Sequence, residues 1–382
     1  MDFELTEKQK KIRATAAEFV KSELEPIAAE LDRTKDREKL LDILKKLAGL
    51  GFMGIAIDPK YGGTGAETVS FSLVMTEIGR GCASTGVTTS VTNMVAEVIQ
   101  TVGTEELRRK YIPPLCSGEY AAGGFALTEA VAGSDPAAMR MSAVLEGDHW
   151  VLNGQKLFIT SAEFAGVFVV WALSDKEAKK GKGISCFLVE PSFPGLRVGQ
   201  AEKKLGQLAS PTNELIFDNC MVPIENLLGV CNDGFRIAAS ELAGGRIGIG
   251  SLTLGIGLAA MDFAAKFAKE REECGQPLAN RVGIRLIIAE NRARLKGAQL
   301  MLLRAASLKD QKKFYAKEAS MAKVYATEAG NRACHDAMQI VGDCGYITGC
   351  PTERYYRDAR VTEIYEGTSE IQRLIIAREL LR

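Results

Sequence analysis

The stretch Ile364-Tyr365-Glu366-Gly367-Thr368-Ser369-Glu370-Ile371-Gln372-Arg373 places one carboxylate where chemistry could begin. Ser369-x-x-Gln372, followed by apolar residues, predicts a helix starting here. Gly367 lets the backbone turn tightly just before it, so Glu366 falls in a loop ahead of a helix N-terminus. Free N–H groups at such an end polarise a carbonyl. A carboxylate beside a polarised thioester carbonyl can take a proton from the neighbouring carbon. Read alone, the same pattern is more often an ordinary solvated helix cap.

Residues 125–135, Phe-Ala-Leu-Thr-Glu-Ala-Val-Ala-Gly-Ser-Asp, mix small side chains with hydroxyls. Such a loop lets backbone come close to a ring or a phosphate, and it also suits a plain link between helix and sheet. Gly255-x-Gly257-x-x-Ala260 matches a loose dinucleotide fingerprint, but that motif needs a preceding strand. Here it lies inside an apolar helical run, where small residues mark close helix packing. His149 and His335, the two histidines, have no evident catalytic partner, and a His-rich metal site is not expected. His149 is expected to be exposed beside an Asn-Gly turn, and His335 to be structural. The cluster Arg354-Tyr355-Tyr356-Arg357-Asp358-Ala359-Arg360 suits either an anion or a salt-bridged helix face.

The elements that must hold these residues come in three blocks. The first is helical: Thr6-x-x-Gln9 is a capping-box pattern with Leu5 as a staple residue, and helices are expected over 37–50, 68–79 and 94–102. The middle block is rich in strand signals. Residues 150–160 read as a hairpin about Asn153-Gly154, with strands over 167–172, 184–189 and 214–217 and a charged hairpin tip at 174–182. From about Gly234 the chain turns helical again. The expected fold class is α+β: an N-terminal helical domain over 1–121, a middle antiparallel β domain, barrel- or sandwich-like, over 122–232, and a C-terminal four-helix bundle over 233–382.

Composition narrows the function. Lys plus Arg and Asp plus Glu number 48 each in 382 residues, so no global field attracts nucleic acid or an anionic membrane. Nine cysteines without a C-x-x-C spacing read as reduced thiols packed as small apolar groups. The apolar run over 247–260 is short for a membrane span. With no signal-peptide pattern, a cytoplasmic location is expected, or the mitochondrial matrix if a presequence has been removed.

Together these segments resemble the acyl-CoA dehydrogenase family over essentially the whole chain. Residues 125–135 are similar to the family's first flavin signature (T-E-P-x-A-G-S-D), 157–161 to its second (W-I-T-N), and 357–373 to its third, which ends in Y-E-G-T-x-[QE]-I-Q. The resemblance implies an FAD enzyme that dehydrogenates an acyl-CoA, or runs as a reductase where a low-potential donor dominates, with Glu366 as base, a flavin as hydride acceptor and an electron-transferring flavoprotein as partner. It implies flavin-ring contacts from Phe125, Leu127, Thr128, Phe158, Ile159 and Thr160. It places Ser134 on a substrate or cofactor phosphate, the Gly367 N–H on the thioester carbonyl, and Arg246 on the substrate-side helix. Thr368 and Glu370 would hold the ribityl–phosphate side. Arg271, Gln339 and Gly342 would reach the adenosine end of FAD on a neighbouring subunit, which implies a homotetramer, with a hetero-oligomer as the variant.

The chain departs from the family pattern at Ala130 (Pro), Phe158 (Trp), Ala243 (Asp), Cys274 (Phe), Val282 (Gln) and Asp343 (Gly). An extra carboxylate at Asp343 beside a pyrophosphate would repel it by about 3 kcal/mol at roughly 5 Å and an effective dielectric of ~20. Three outcomes fit these changes: looser FAD, a second subunit that completes the edge, or a flavin-poor acyl-CoA-binding or lyase protein. For the substrate, the helix wall over 84–99 has no Arg or Lys, which argues against a terminal carboxylate. Gly244-Gly245 would widen the pocket near the base, which suits a short, branched or cyclic acyl group.

Overall fold

The computed structural model describes residues 4–381. The first block is helical: α1 (Glu7–Phe19), α2 (Ala28–Thr34), α3 (Arg37–Gly49), α4 (Thr68–Gly81), α5 (Ala83–Val102) and α6 (Glu105–Ser117). The capping box forms as expected, with Gln9 N–H donating to Thr6 Oγ1 and Thr6 N–H to Gln9 Oε1. Helix α5 starts well before the expected residue 94. Its first half is Ser, Thr and Gly, poor helix formers because their hydroxyls compete for the backbone. Here those hydroxyls turn inward: Thr88, Thr89 and Thr92 donate to the carbonyls four residues back, in a buried setting.

The middle block is an eight-stranded sheet in the order β6-β7-β3-β2-β4-β5-β8, with β1 paired to β4. The strands are β1 (Ala122–Ala126), β2 (Ser142–Glu146), β3 (His149–Thr160), β4 (Ala165–Leu173), β5 (Ile184–Val189), β6 (Leu196–Ala201), β7 (Thr212–Pro223) and β8 (Leu227–Leu228). The ladders are antiparallel, as expected, except that β1 and one residue of β2 pair parallel to β4. The expected hairpin about Asn153-Gly154 is absent: β3 runs straight through. The turn lies at Gly147-Asp148, with Gly147 at φ 62°, and joins β2 to β3. Gly154 marks a register shift instead, where an added Cβ would sit 2.9 Å from Met141 Cα.

The third block begins with α7 (Gly234–Glu270) and a small ribbon of β9 (Glu272–Glu273) and β10 (Gln276–Pro277). It continues through α8 (Val282–Asp310), α9 (Ala316–Val341), α10 (Asp343–Tyr346), α11 (Pro351–Arg360) and α12 (Ser369–Leu380). Helices α7, α8 and α9 pack on one another, α12 lies on α9, and α4 lies on α7. Helix α7 is far longer than its apolar run suggested, and it is long and apolar enough to cross a membrane; 83% of that apolar window is buried in the fold. Its glycines serve that packing. A Cβ at Gly255 would lie 2.1 Å from Thr76 O, and one at Gly257 would lie 3.0 Å from Gly330 Cα.

Candidate active site

Glu366 sits between the short turn after α11 and the start of α12, on backbone that L-residues seldom adopt. Its φ is 55° and that of Gly367 is 88°. Two side chains hold this turn. Gln372 Nε2 donates to Glu366 O (3.1 Å) and Gly367 O (2.9 Å), and Lys323 Nζ, from α9, donates to Gly367 O (2.9 Å). The helix cap is Thr368, which accepts from Ile371 N–H, rather than Ser369. Strain retained in a turn pinned from both sides is typical of functional positions.

The carboxylate points inward. Glu366 Oε2 is shielded from solvent and has no hydrogen-bond partner among the described residues. Burial pushes its pKa up to about 7, and Arg246 and Lys323 oppose the rise. Arg246, from α7, is buried with its guanidinium donating to Ser320 Oγ at 3.3 Å. Lys323 is fully buried, and burial draws its pKa down to about 8 against the pull of Glu366. The site is therefore a carboxylate near its titration point, flanked by two cations. Lys323 carried no motif signal; the only hint was a cation among the small residues Ala319, Ala322 and Ala326 on one helix face.

In the middle block, the 127–129 loop is tied to β3. Lys156 Nζ, fully buried, donates to Leu127 O (3.1 Å) and Glu129 Oε1 (2.8 Å), and Glu129 also accepts from the N–H groups of Arg140 and Met141. Leu157 N–H donates to Thr128 O at 2.8 Å. Phe158 follows, at φ 59° and 60% exposed, where β3 shifts register. A large aromatic ring held out in this way leaves an apolar face for another flat ring to cover, which fits a flavin. Thr160 is half-buried and Ser134 exposed. The side chains of Phe125 and Ile159 are placed otherwise. The half-buried ring of Phe125 packs 4.5 Å from Trp171, and Ile159 is buried in the core of the sheet, so Ile159 can offer only its main chain to a ligand.

A polar chain joins the two halves. Tyr365 OH accepts from Gln207 Nε2, residues 207–210 form a turn, Ser210 Oγ pairs with Thr88 Oγ1, and Ser161 Oγ donates to Thr88 Oγ1. The residues preceding Glu366 and following Thr160 are thereby fixed to one another through α5.

Beyond Gly244 and Gly245 lies a small cavity lined by Ile57, Phe71, Asn93, Met94, Glu97 and Lys309, among others. Two expectations are corrected here. The wall over 84–99 lacks Arg and Lys, but Lys309 reaches in from α8 and pairs with Glu97 at 2.5 Å. The glycines do not widen the pocket: a Cβ at Gly244 would meet Lys309 Nζ at 2.8 Å, and one at Gly245 would meet Glu366 Oε2 at 2.8 Å. Their missing side chains make room for those two charged groups.

The residues expected at the adenosine edge are spread over the surface. Arg271 ends α7 and is 54% exposed at its side chain; Gln339, Gly342 (φ 71°) and Asp343 lie at the end of α9 and the start of α10. Cys274 is exposed and Val282 is 69% exposed. The cluster over 354–360 resolves as a salt-bridged helix face, with Arg357 bonded to Asp32 and Glu353. His149 pairs with Asp148 at the β2–β3 turn, and His335 is exposed near the Tyr356 ring.

Three family models match in order along the chain: the acyl-CoA dehydrogenase N-terminal domain over residues 6–119, the middle domain over 124–220 and the C-terminal domain over 232–381. The short-chain specific acyl-CoA dehydrogenase of Rattus norvegicus is 46% identical over 99% of this chain and 91% of its own length. The butyryl-CoA dehydrogenase structure from Megasphaera elsdenii superposes with a TM-score of 0.96 at 35% identity, covering 100% of both chains. A chain solved under the description "Electron transferring flavoprotein of Acidaminococcus fermentans" superposes with a TM-score of 0.97 at 40% identity, again over 100% of both. With matched models spanning nearly its full length and a relative 46% identical over almost the whole of both chains, this chain belongs to the acyl-CoA dehydrogenase family.

Proposed function

We propose that the protein is an FAD-dependent, short-chain acyl-CoA dehydrogenase that converts an acyl-CoA to its 2-enoyl-CoA, with Glu366 as base. The observation that carries this reading is the Glu366 carboxylate: shielded, without a partner, and poised near neutral pH by burial against Arg246 and Lys323. FAD fits the ring-side loop, where Leu127, Thr128, Phe158 and Thr160 would hold the isoalloxazine; bound there, it supplies the acceptor for the hydride leaving Cβ. Glu366 takes the proton from Cα. The Gly367 N–H donates to the thioester carbonyl, and that bond strengthens as negative charge grows on the oxygen, which favours the transition state over the bound substrate. Lys323 and Gln372 fix the position of Gly367 by its carbonyl.

Thr368 and Glu370 would face the ribityl–phosphate side. Arg271, Gln339 and Gly342 would serve the FAD of a neighbouring subunit in a tetramer, and an electron-transferring flavoprotein would take the electrons. A second reading rests on the exposed Cys274, Val282 and Asp343: a different subunit completes that edge in a hetero-oligomer. The test is the visible flavin absorbance of the purified chain and its bleaching by butyryl-CoA. A yellow protein bleached by the thioester supports the proposal. Colour gained only on co-expression with a homologous chain favours the second reading, and a protein that takes up no FAD in either case removes both.

A further inference from the structure

The cavity beyond the base has an unusual floor for an alkyl chain. One face of α5 presents Ser90, Asn93, Met94 and Glu97, spaced three and four residues apart. Opposite it, one face of α7 presents Glu241, Gly244, Gly245 and Gly248. Glu97 and Lys309 form a half-buried ion pair at 2.5 Å that lines the cavity. Glu241 is only 8% exposed, and its Oε1 is buried without a partner. It lies within electrostatic reach of Glu97, Lys309 and Glu366, and burial holds its carboxyl well above the usual range. Ser90 Oγ, which a Cβ at Gly248 would approach to 2.6 Å, is likewise buried and unpartnered. The Tyr315 hydroxyl closes the group, 3.8 Å from where a Gly244 Cβ would stand.

The cavity measures about 10 Å³, room for about one water-sized group. A methyl group placed there would desolvate the ion pair and return nothing to the unpartnered carboxyl. A carboxylate would face Glu97. Nor does an ammonium fit better, because it would stand beside Lys309, which already pairs with Glu97. A neutral group that both donates and accepts answers the floor on both counts, since Lys309 donates and the carboxyls accept.

We propose that this cavity is a specificity site for a short acyl chain ending in a hydroxyl, read by Glu97 and Lys309, which line it, and by Glu241, buried within electrostatic reach of both. The inference rests on the dehydrogenase reading and names its substrate class. The hydroxyl takes no part in the reaction: the Cα proton still goes to Glu366 and the Cβ hydride to the bound flavin, leaving a 4-hydroxy-2-enoyl thioester.

The experiment compares butyryl-CoA with 4-hydroxybutyryl-CoA on the holoenzyme by kcat/KM, and by calorimetric Kd on the Glu366→Gln holoenzyme, where turnover is blocked. The hydroxylated thioester is expected to lead by about 10-fold or more in both. Glu241→Leu, which removes an unpartnered polar atom and should leave the fold intact, is expected to erase most of that lead. Equal or better use of butyryl-CoA, or a lead for the hydroxylated thioester that survives unchanged in Glu241→Leu, overturns the assignment while leaving the dehydrogenase reading in place. If neither thioester bleaches the flavin, the dehydrogenase reading falls. The calorimetric comparison then decides the cavity alone: a lead for the hydroxylated thioester upholds its polar selectivity, and equal binding overturns it.

Discussion

The two ends of the candidate cofactor site are built in opposite ways. At the proposed reacting end, the Glu366–Gly367 turn and the 127–129 loop are each fixed by more than one interaction within a single chain. Gly367 O accepts from both Lys323 and Gln372, and the Leu127–Glu129 loop is tied down by the buried Lys156. At the adenosine edge, Arg271, Cys274, Val282, Gln339 and Asp343 stand at the surface, and that is where the chain departs most from its family's pattern. The contrast fits the proposed roles of the two ends. Groups that place a proton and a hydride to within a fraction of an ångström need a supporting shell, whereas an edge completed by a second chain can vary with that chain.

The largest expected effect lies at the reacting end. Glu366→Gln should lower the bleaching rate by about 10³-fold or more, while the Kd for butyryl-CoA changes only a few-fold; near-normal bleaching would remove Glu366 from its role. Next is Lys323→Met, which removes a donor to Gly367 O and a cation that holds the Glu366 pKa down. A fall of about 10²-fold in kcat/KM is expected, together with an upward shift of the pH midpoint. A lower rate with an unmoved midpoint would reduce Lys323 to a purely structural role.

A smaller effect is expected at the edge. Asp343→Gly removes a carboxylate from the position where the pyrophosphate would lie and should tighten FAD by about 10-fold, with salt sensitivity reduced. Unchanged FAD affinity would show that this carboxylate does not face the cofactor. The smallest concerns stability. Glu366 has a folded pKa of about 7 against an ordinary value of 4.5, so the folded state holds its proton more tightly than the unfolded one. Stability is then lost as pH rises from 4.5 towards 7 and stays low above. Glu366→Gln should accordingly raise the melting temperature at pH 8 and change it little at pH 4; equal shifts at both would contradict the assigned pKa.

Much of this was legible from sequence. The three-block order, the capping box, the internal strands and the Glu366-Gly367 turn follow from periodicity and from residues with few conformational options. What escaped has physical reasons. The Asn153-Gly154 pair has turn chemistry but sits at a bulge, because the close approach of Met141 required a glycine there. The hydroxyl-rich start of α5 defied propensity because burial turned those hydroxyls onto its own carbonyls. Lys323, Lys309, Glu241 and Lys156 were invisible as site residues because a charged side chain in a helix or strand usually marks a solvent face. Only the packing shows that these four point inward, and one faint trace was in the strand, where Lys156 falls at an inward position of β3.

The central claim is that a single shielded carboxylate takes the Cα proton. The most direct test is the bleaching rate of the holoenzyme by butyryl-CoA across pH 5 to 9. The account predicts a rate that rises about tenfold per pH unit below a midpoint near 7 and levels off above it, with that dependence lost and the rate collapsed in Glu366→Gln. A rate that is flat with pH in the wild type, or undiminished in the variant, would contradict it.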